Sequence, residues 1–170
     1  MFKAFLYFLS VLFIIKTFIG CQTLEGDSEN NSQSTAWLSG TEEEKFVQIE
    51  NHLRGFDVAM AETGYRYTEL YWAGKDLNWE YADYQAGKIE RTIELAMERR
   101  PRRANTAEAF LSTSLEEVKE AIAQEDSAVF AESFQSLTQG CNNCHSMEGM
   151  DFVNIEIPNK RTTPVRKNKN

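Results

Sequence analysis

The pentapeptide Cys141-Asn142-Asn143-Cys144-His145 holds the side chains with the most distinctive chemistry in the chain. C-x-x-C-H is the spacing that fastens a haem covalently and ligates its iron. On a helix, Cys141 and Cys144 sit about one turn apart, so each thiol can take one haem vinyl group as a thioether. His145, four residues after Cys141, projects from the same face and offers an imidazole to the proximal side of the iron. Two other readings of these residues stand beside haem: a Cys141–Cys144 disulfide, and half of a zinc site that needs two further ligands. His52 is the only other histidine and Cys21 is committed elsewhere, so a full zinc set is hard to assemble.

Helices must position these groups. Thr41 followed by Glu42, Glu43 and Glu44 offers a cap with acids in a first turn, which suits the positive end of a helix. Phe46, Ile49, Leu53, Phe56, Met60, Tyr67 and Tyr71 then recur at threes and fours, predicting one helix from Thr41 to about Ala73. Gly74 suits its left-handed C-cap, and Gly64, falling on the stripe, suits close approach of a neighbour. Asn78 caps a second helix through Arg99 whose buried set is Trp79, Ala82, Ala86, Ile89, Ile93 and Met97. The basic run around Pro101 reads as a helix C-terminus followed by a stop, not as a recognition patch.

Asn105-Thr106 with Glu108 opens a third helix, marked by Phe110, Leu111, Leu115, Val118 and Ile122. Asp126 and Ser127 precede a fourth, in which Val129, Phe130, Phe134 and Leu137 lead by helical steps to Cys141, Cys144 and His145. With 170 residues and 42% apolar side chains, the chain suffices for one packed core. The expected fold class is all-α, an antiparallel four-helix bundle over residues 41–158 with cofactor groups projecting inward. Phe152, Val153, Ile155 and Ile157 are expected to cover an open end, with residues 159–170 a loose basic tail.

Residues 1–20 combine Lys3, an apolar run from Ala4 to Ile15, and a small residue before Cys21, the pattern of an export signal. The run is too short to span a bilayer comfortably. Phe18-Ile19-Gly20-Cys21 resembles the lipobox of bacterial lipoproteins, with Phe18 where Leu is usual and Ile19 where Ala or Ser is usual. The resemblance implies lipidation of Cys21, which also explains an unpaired cysteine in an exported chain. Residues 21–40 are polar enough to be a flexible tether holding the domain on the periplasmic side of a bacterial membrane. Cleavage after Gly20 removes Lys3 and Lys16 and no acid, taking the net charge of −8 down by two to −10. Such a surface disfavours nucleic acid and favours basic partners.

Residues 41–150, with C-x-x-C-H near the end of a fourth helix, resemble the cytochromes c prime and their relatives, four-helix-bundle proteins with one covalent haem c. The resemblance implies thioether attachment at Cys141 and Cys144 and proximal ligation by His145. It departs from the family in its long first helix and in the twenty-five residues that follow His145.

The sixth iron position decides the function, since a second strong ligand favours electron transfer and an open site admits small gases. If the fourth helix ends beside the beginning of the first, the haem lies near residues 46–56. That height favours His52 over Met60, two turns further on or about 12 Å. Met147 and Met150 follow too closely on His145 to reach the opposite face without the chain wrapping around. The family resemblance leans toward a vacant site, with Leu53 or Phe56 covering the iron, and Arg54 is a candidate for a haem propionate. The leading expectation is a membrane-tethered monohaem cytochrome transferring electrons in the cell envelope. A carbon monoxide- or nitric oxide-binding haem protein is the alternative, and a haem-binding accessory subunit the third. The partners these readings name are a redox protein of the periplasm or membrane, small gases, and a second copy of the chain. No carboxylate pair or base-activated nucleophile points to ordinary catalysis.

Overall fold

The computed structural model describes residues 37–168. The chain divides into a unit Met1–Ser39, of which 37–39 are described, and a unit Gly40–Asn170, to which the following refers. The export signal, Cys21 and most of the proposed tether lie outside the described residues. Among the described residues every regular element is helical, and no helix is long and apolar enough to cross a membrane.

Thr41 caps α1 (Glu42–Leu53) with a reciprocal box: its hydroxyl accepts from Glu44 N and Glu44 accepts from Thr41 N at 2.8 Å. The long first helix expected from the sequence is two helices. Arg54 takes φ 59°, ψ −158°, and α2 (Phe56–Lys75) starts afresh after Gly55. Asp57 drives the restart, because its carboxylate accepts the Gly55 N–H at 3.2 Å and pairs with Arg54. An acid in the first turn also favours a new N-terminus there. The break removes α1 from the core: none of its residues is buried, and Phe46 and Leu53 are exposed.

The stripe itself continues correctly in α2, where Ala59, Tyr67, Leu70 and Ala73 are buried and Phe56, Met60 and Tyr71 pack partly against the core. Neither glycine has its expected role. A Cβ at Gly64 would meet open space, whereas one at Gly74 would lie 2.0 Å from the Phe130 ring. Gly74 therefore sits inside α2 beneath an aromatic ring, and the left-handed residue at the turn is Leu77, at φ 55°.

In α3 (Trp79–Arg99) the inward set is Ala82, Ala86, Ile89 and Ile93, as the spacing predicts, flanked by Trp79 and Met97. Asn78 precedes α3 without a side-chain capping bond. After a 3₁₀ turn at Pro101–Arg103 the third expected helix runs as α4 (Ala104–Phe110), a π-helical turn (Leu111–Leu115) and α5 (Glu116–Gln124). Thr113 donates to Ala109 O at 2.6 Å and thereby competes for a helix carbonyl at the π turn. Asp126 caps α6 (Ser127–Met147) by accepting from Ala128 N and Val129 N at 2.7 and 3.0 Å. Phe130, Phe134 and Leu137 are buried along α6, while Val129, expected inside, is 38% exposed.

α2 packs on α3 and α6, and the α4–α5 segment packs on α3 and α6. Between α2 and α6, Tyr67 meets Thr138 and Gly74 meets Phe130. Between the α4–π segment and α6, Thr106 meets Glu148 and Ser114 meets Gly140, where a Cβ would fall 2.2 Å from the serine Oγ. The π turn thus brings a second helix hard against the residue that precedes Cys141. The core among these helices includes Tyr67, Leu70, Ile89, Phe110, Leu115, Phe130, Phe134 and Leu137.

Candidate functional site

Cys141 occupies the next inward position of α6 after Leu137 and Thr138, and its side chain packs against the core. Burial pushes its thiol up to about 12, reinforced by the neighbouring Cys144. Cys144, one turn on, is less enclosed. Burial raises its thiol too, with Glu148 adding to the shift and Arg103 opposing it. Both cysteines are free thiols, so the disulfide reading is not realised here. Among the described residues no three His, Cys, Asp or Glu side chains converge to hold a metal ion.

His145, half-buried, follows Cys144 directly, and the fold holds its ring through a hydrogen bond to Val153 O. Gly149, at φ 69°, terminates α6 in a Schellman turn: Met150 N donates to His145 O at 2.8 Å and Gly149 N to Ser146 O at 3.0 Å. The reversal turns the chain back along the helix, and Val153 O lies 2.9 Å from His145 Nδ1. A carbonyl only accepts, so Nδ1 carries the ring hydrogen and Nε2 is the nitrogen left to act as a ligand.

After a turn in which Val153 N donates to Met150 O at 2.8 Å, the chain runs on to Arg161 as an irregular strap, with Ile155 packed against the core. Asn142, inside the pentapeptide, grips it twice: its amide donates to Ile155 O at 2.9 Å and accepts from Ile155 N at 2.7 Å. Tyr67 OH donates to Glu156 O at 3.2 Å and shares a 2.7 Å bond with Thr138. Burial holds the Tyr67 phenol protonated, pushing it up to about 12 against the lowering effect of Thr138. Farther on, Arg161 forms a bidentate pair with Asp76 at 2.7 and 2.8 Å and lies 4.7 Å over the Trp72 ring. The start of the expected loose tail is therefore fastened to the end of α2.

Charge gathers where α3, α4 and α6 converge beside Cys144. Arg103 and Thr106 both donate to Glu148, each at 2.5 Å. Arg99, four residues before Arg103, has a buried Nε without a hydrogen-bond partner among the described residues. Two free thiols one turn apart and an imidazole held through Nδ1 are the side chains here that could hold a haem c. Arg54, the sequence candidate for a propionate, is exposed and paired with Asp57.

The candidate distal residues are placed apart. His52 is exposed on α1, beyond the break, while Met60 lies on α2 against the core. Met147 is exposed at the last turn of α6, and Met150 forms the Schellman turn. A groove lined by Tyr71, Gly74, Lys75, Phe130, Phe134 and Ile157 lies toward the start of α6 and includes none of the pentapeptide. Sequence reasoning passed over Asn142, Tyr67 and Val153 as parts of the site. The alternation of Val153 and Ile155 with more exposed neighbours was the legible trace of the strap. No known protein family, curated protein or solved structure matches this chain.

Proposed function

We propose that this chain is a monohaem c-type cytochrome, lipid-anchored through Cys21 at a bacterial membrane, that transfers electrons in the cell envelope. The observation that carries the reading is the His145 ring, fixed through Nδ1 by Val153 O at the end of a helix that also carries Cys141 and Cys144 within one turn of it. Each thiol would add across one vinyl group, its sulfur bonding one carbon and its hydrogen passing to the other. His145 Nε2 would ligate the iron, and the bound haem supplies one-electron chemistry that no side chain here offers.

The helices are read as an antiparallel four-helix bundle made by α2, α3, the α4–α5 segment and α6. Support comes from the pairs described above: residue numbers rise along α2 and along α4–π as they fall along α6. The same register bears on the sixth ligand. Seven residues before Tyr67 lies Met60, and seven after Thr138 lies His145, a shift of about 10 Å along each helix. Height thus pairs Met60 with His145 once α1 is detached at Arg54, and a thioether ligand favours the electron carrier over the gas binder. The acidic mature chain would dock a basic redox partner.

Produced with a periplasmic haem-attachment system, the protein should keep its colour through acid–acetone extraction, and changing both Cys141 and Cys144 to Ala should abolish this. Haem lost to the solvent from the wild type would overturn the reading. The reduced spectrum should be insensitive to carbon monoxide; a marked change would favour the gas-binding alternative, with its vacant distal site.

A further inference from the structure

We propose that the strap of residues 150–161 positions the proximal imidazole, and that Asn142 is the positioning residue that holds the strap in register. The proposal rests on His145 being the iron ligand. The Schellman turn at Gly149 delivers the chain to His145 but does not by itself fix the direction of the Val153 carbonyl. Val153 N donates to Met150 O at 2.8 Å, which ties its own amide, but its carbonyl belongs to the next peptide plane, in irregular chain outside any helix or strand. Two residues later the Asn142 amide pairs with both backbone groups of Ile155, as a facing strand would. A pair of bonds to one residue fixes translation and rotation together, whereas the single bond from Tyr67 to Glu156 O fixes only proximity. Ile155 itself packs against the core.

The consequence is chemical as well as structural. A hydrogen bond from the distal ring nitrogen of a ligating histidine to a carbonyl sets the ring's orientation and raises its basicity. A more basic imidazole stabilises the oxidised iron relative to the reduced, so the strap would hold the reduction potential down. Asn142 occupies a variable position of C-x-x-C-H, touching neither iron nor porphyrin in this role. It acts through Val153 O and His145.

The test compares wild type, Asn142→Ala, and Ile122→Val, a core truncation on α5 that lowers stability away from the strap. In the haem-loaded protein, Asn142→Ala should move the midpoint potential to a more positive value while Ile122→Val leaves it in place. In the full chain made without haem attachment, Asn142→Ala should speed hydrogen exchange of the Ile155 amide and of the His145 Nδ1 proton by about tenfold or more. If Asn142→Ala lowers stability but leaves the potential and the Nδ1 proton as in wild type, Asn142 is only a structural clamp and the proposal fails. If the wild type takes up no haem, the function proposed above fails, while the haem-free exchange measurement still decides whether Asn142 governs the His145 ring.

Discussion

At Met60 and His52 the two functional readings separate. Met60 packs against the core one turn into α2, and the Tyr67–Thr138 bond sets it level with His145; His52 lies exposed on a helix with no buried residue. Met60→Ala should convert a low-spin spectrum to high-spin and open the iron to carbon monoxide, while His52→Ala should leave the spectrum as it is. A low-spin wild type that becomes high-spin on losing His52 would contradict this assignment. The height argument that favours His52 over Met60, beside a family lean toward a vacant site, assumes an unbroken helix; Asp57, whose carboxylate takes the Gly55 N–H, lies at the break in that helix. By contrast Cys141, Cys144 and His145 were legible as a unit because their spacing is itself the chemical signal. Asn142 was not, because a two-bond clamp on a distant backbone segment leaves no local pattern.

Among the elements, α2 offers a paired test of packing. Gly74→Ala drives a methyl into the Phe130 ring and should destabilise the fold by about 1–3 kcal/mol in denaturant unfolding. Gly64→Ala, at an exposed helix position with open space, should stabilise it by about 0.5–1 kcal/mol. Equal effects at the two sites would contradict the described contact. Helical spacing predicted α3 and most of α2 and α6, since a buried stripe is written in the sequence. Which glycine sits under a neighbour is not written there, because it depends on a side chain more than fifty residues away. The π turn escaped notice for a similar reason: its residues have ordinary helical composition, and its register shift becomes meaningful only where Ser114 meets Gly140.

The strap adds a pH-dependent contact between elements. Hydrogen bonds from Arg161 hold the Asp76 carboxyl below its ordinary value, partly opposed by burial. A depressed folded-state value means that the pair stabilises the fold above the unfolded value of about 3.9, and that this contribution is lost as pH falls through the lower, folded value. Asp76→Asn should therefore reduce stability at neutral pH and diminish the loss seen on acidification below about pH 4. Identical pH profiles for the variant and wild type would show that the pair contributes nothing.

Across the whole molecule, α2, α3, the α4–α5 segment and α6 enclose one core, and the strap returns from the pentapeptide toward the far end of α2. This arrangement makes the proposed haem site an extension of the core, since Cys141 continues the buried stripe of Phe130, Phe134 and Leu137. An all-helical fold followed from the sequence alone because four stripes of helical period leave no segment for a sheet. The strap did not, since the twelve residues 150–161, without helical period, can equally lie loose or bind in a groove until their hydrogen-bond partners are known. The central claim concerns covalent chemistry at two cysteines, and mass spectrometry of the denatured, protease-digested protein from a haem-attaching host tests it most directly. The peptide containing Cys141 and Cys144 should carry one haem in the wild type and none when both cysteines are alanine; a wild-type peptide bearing two unmodified thiols would contradict the account.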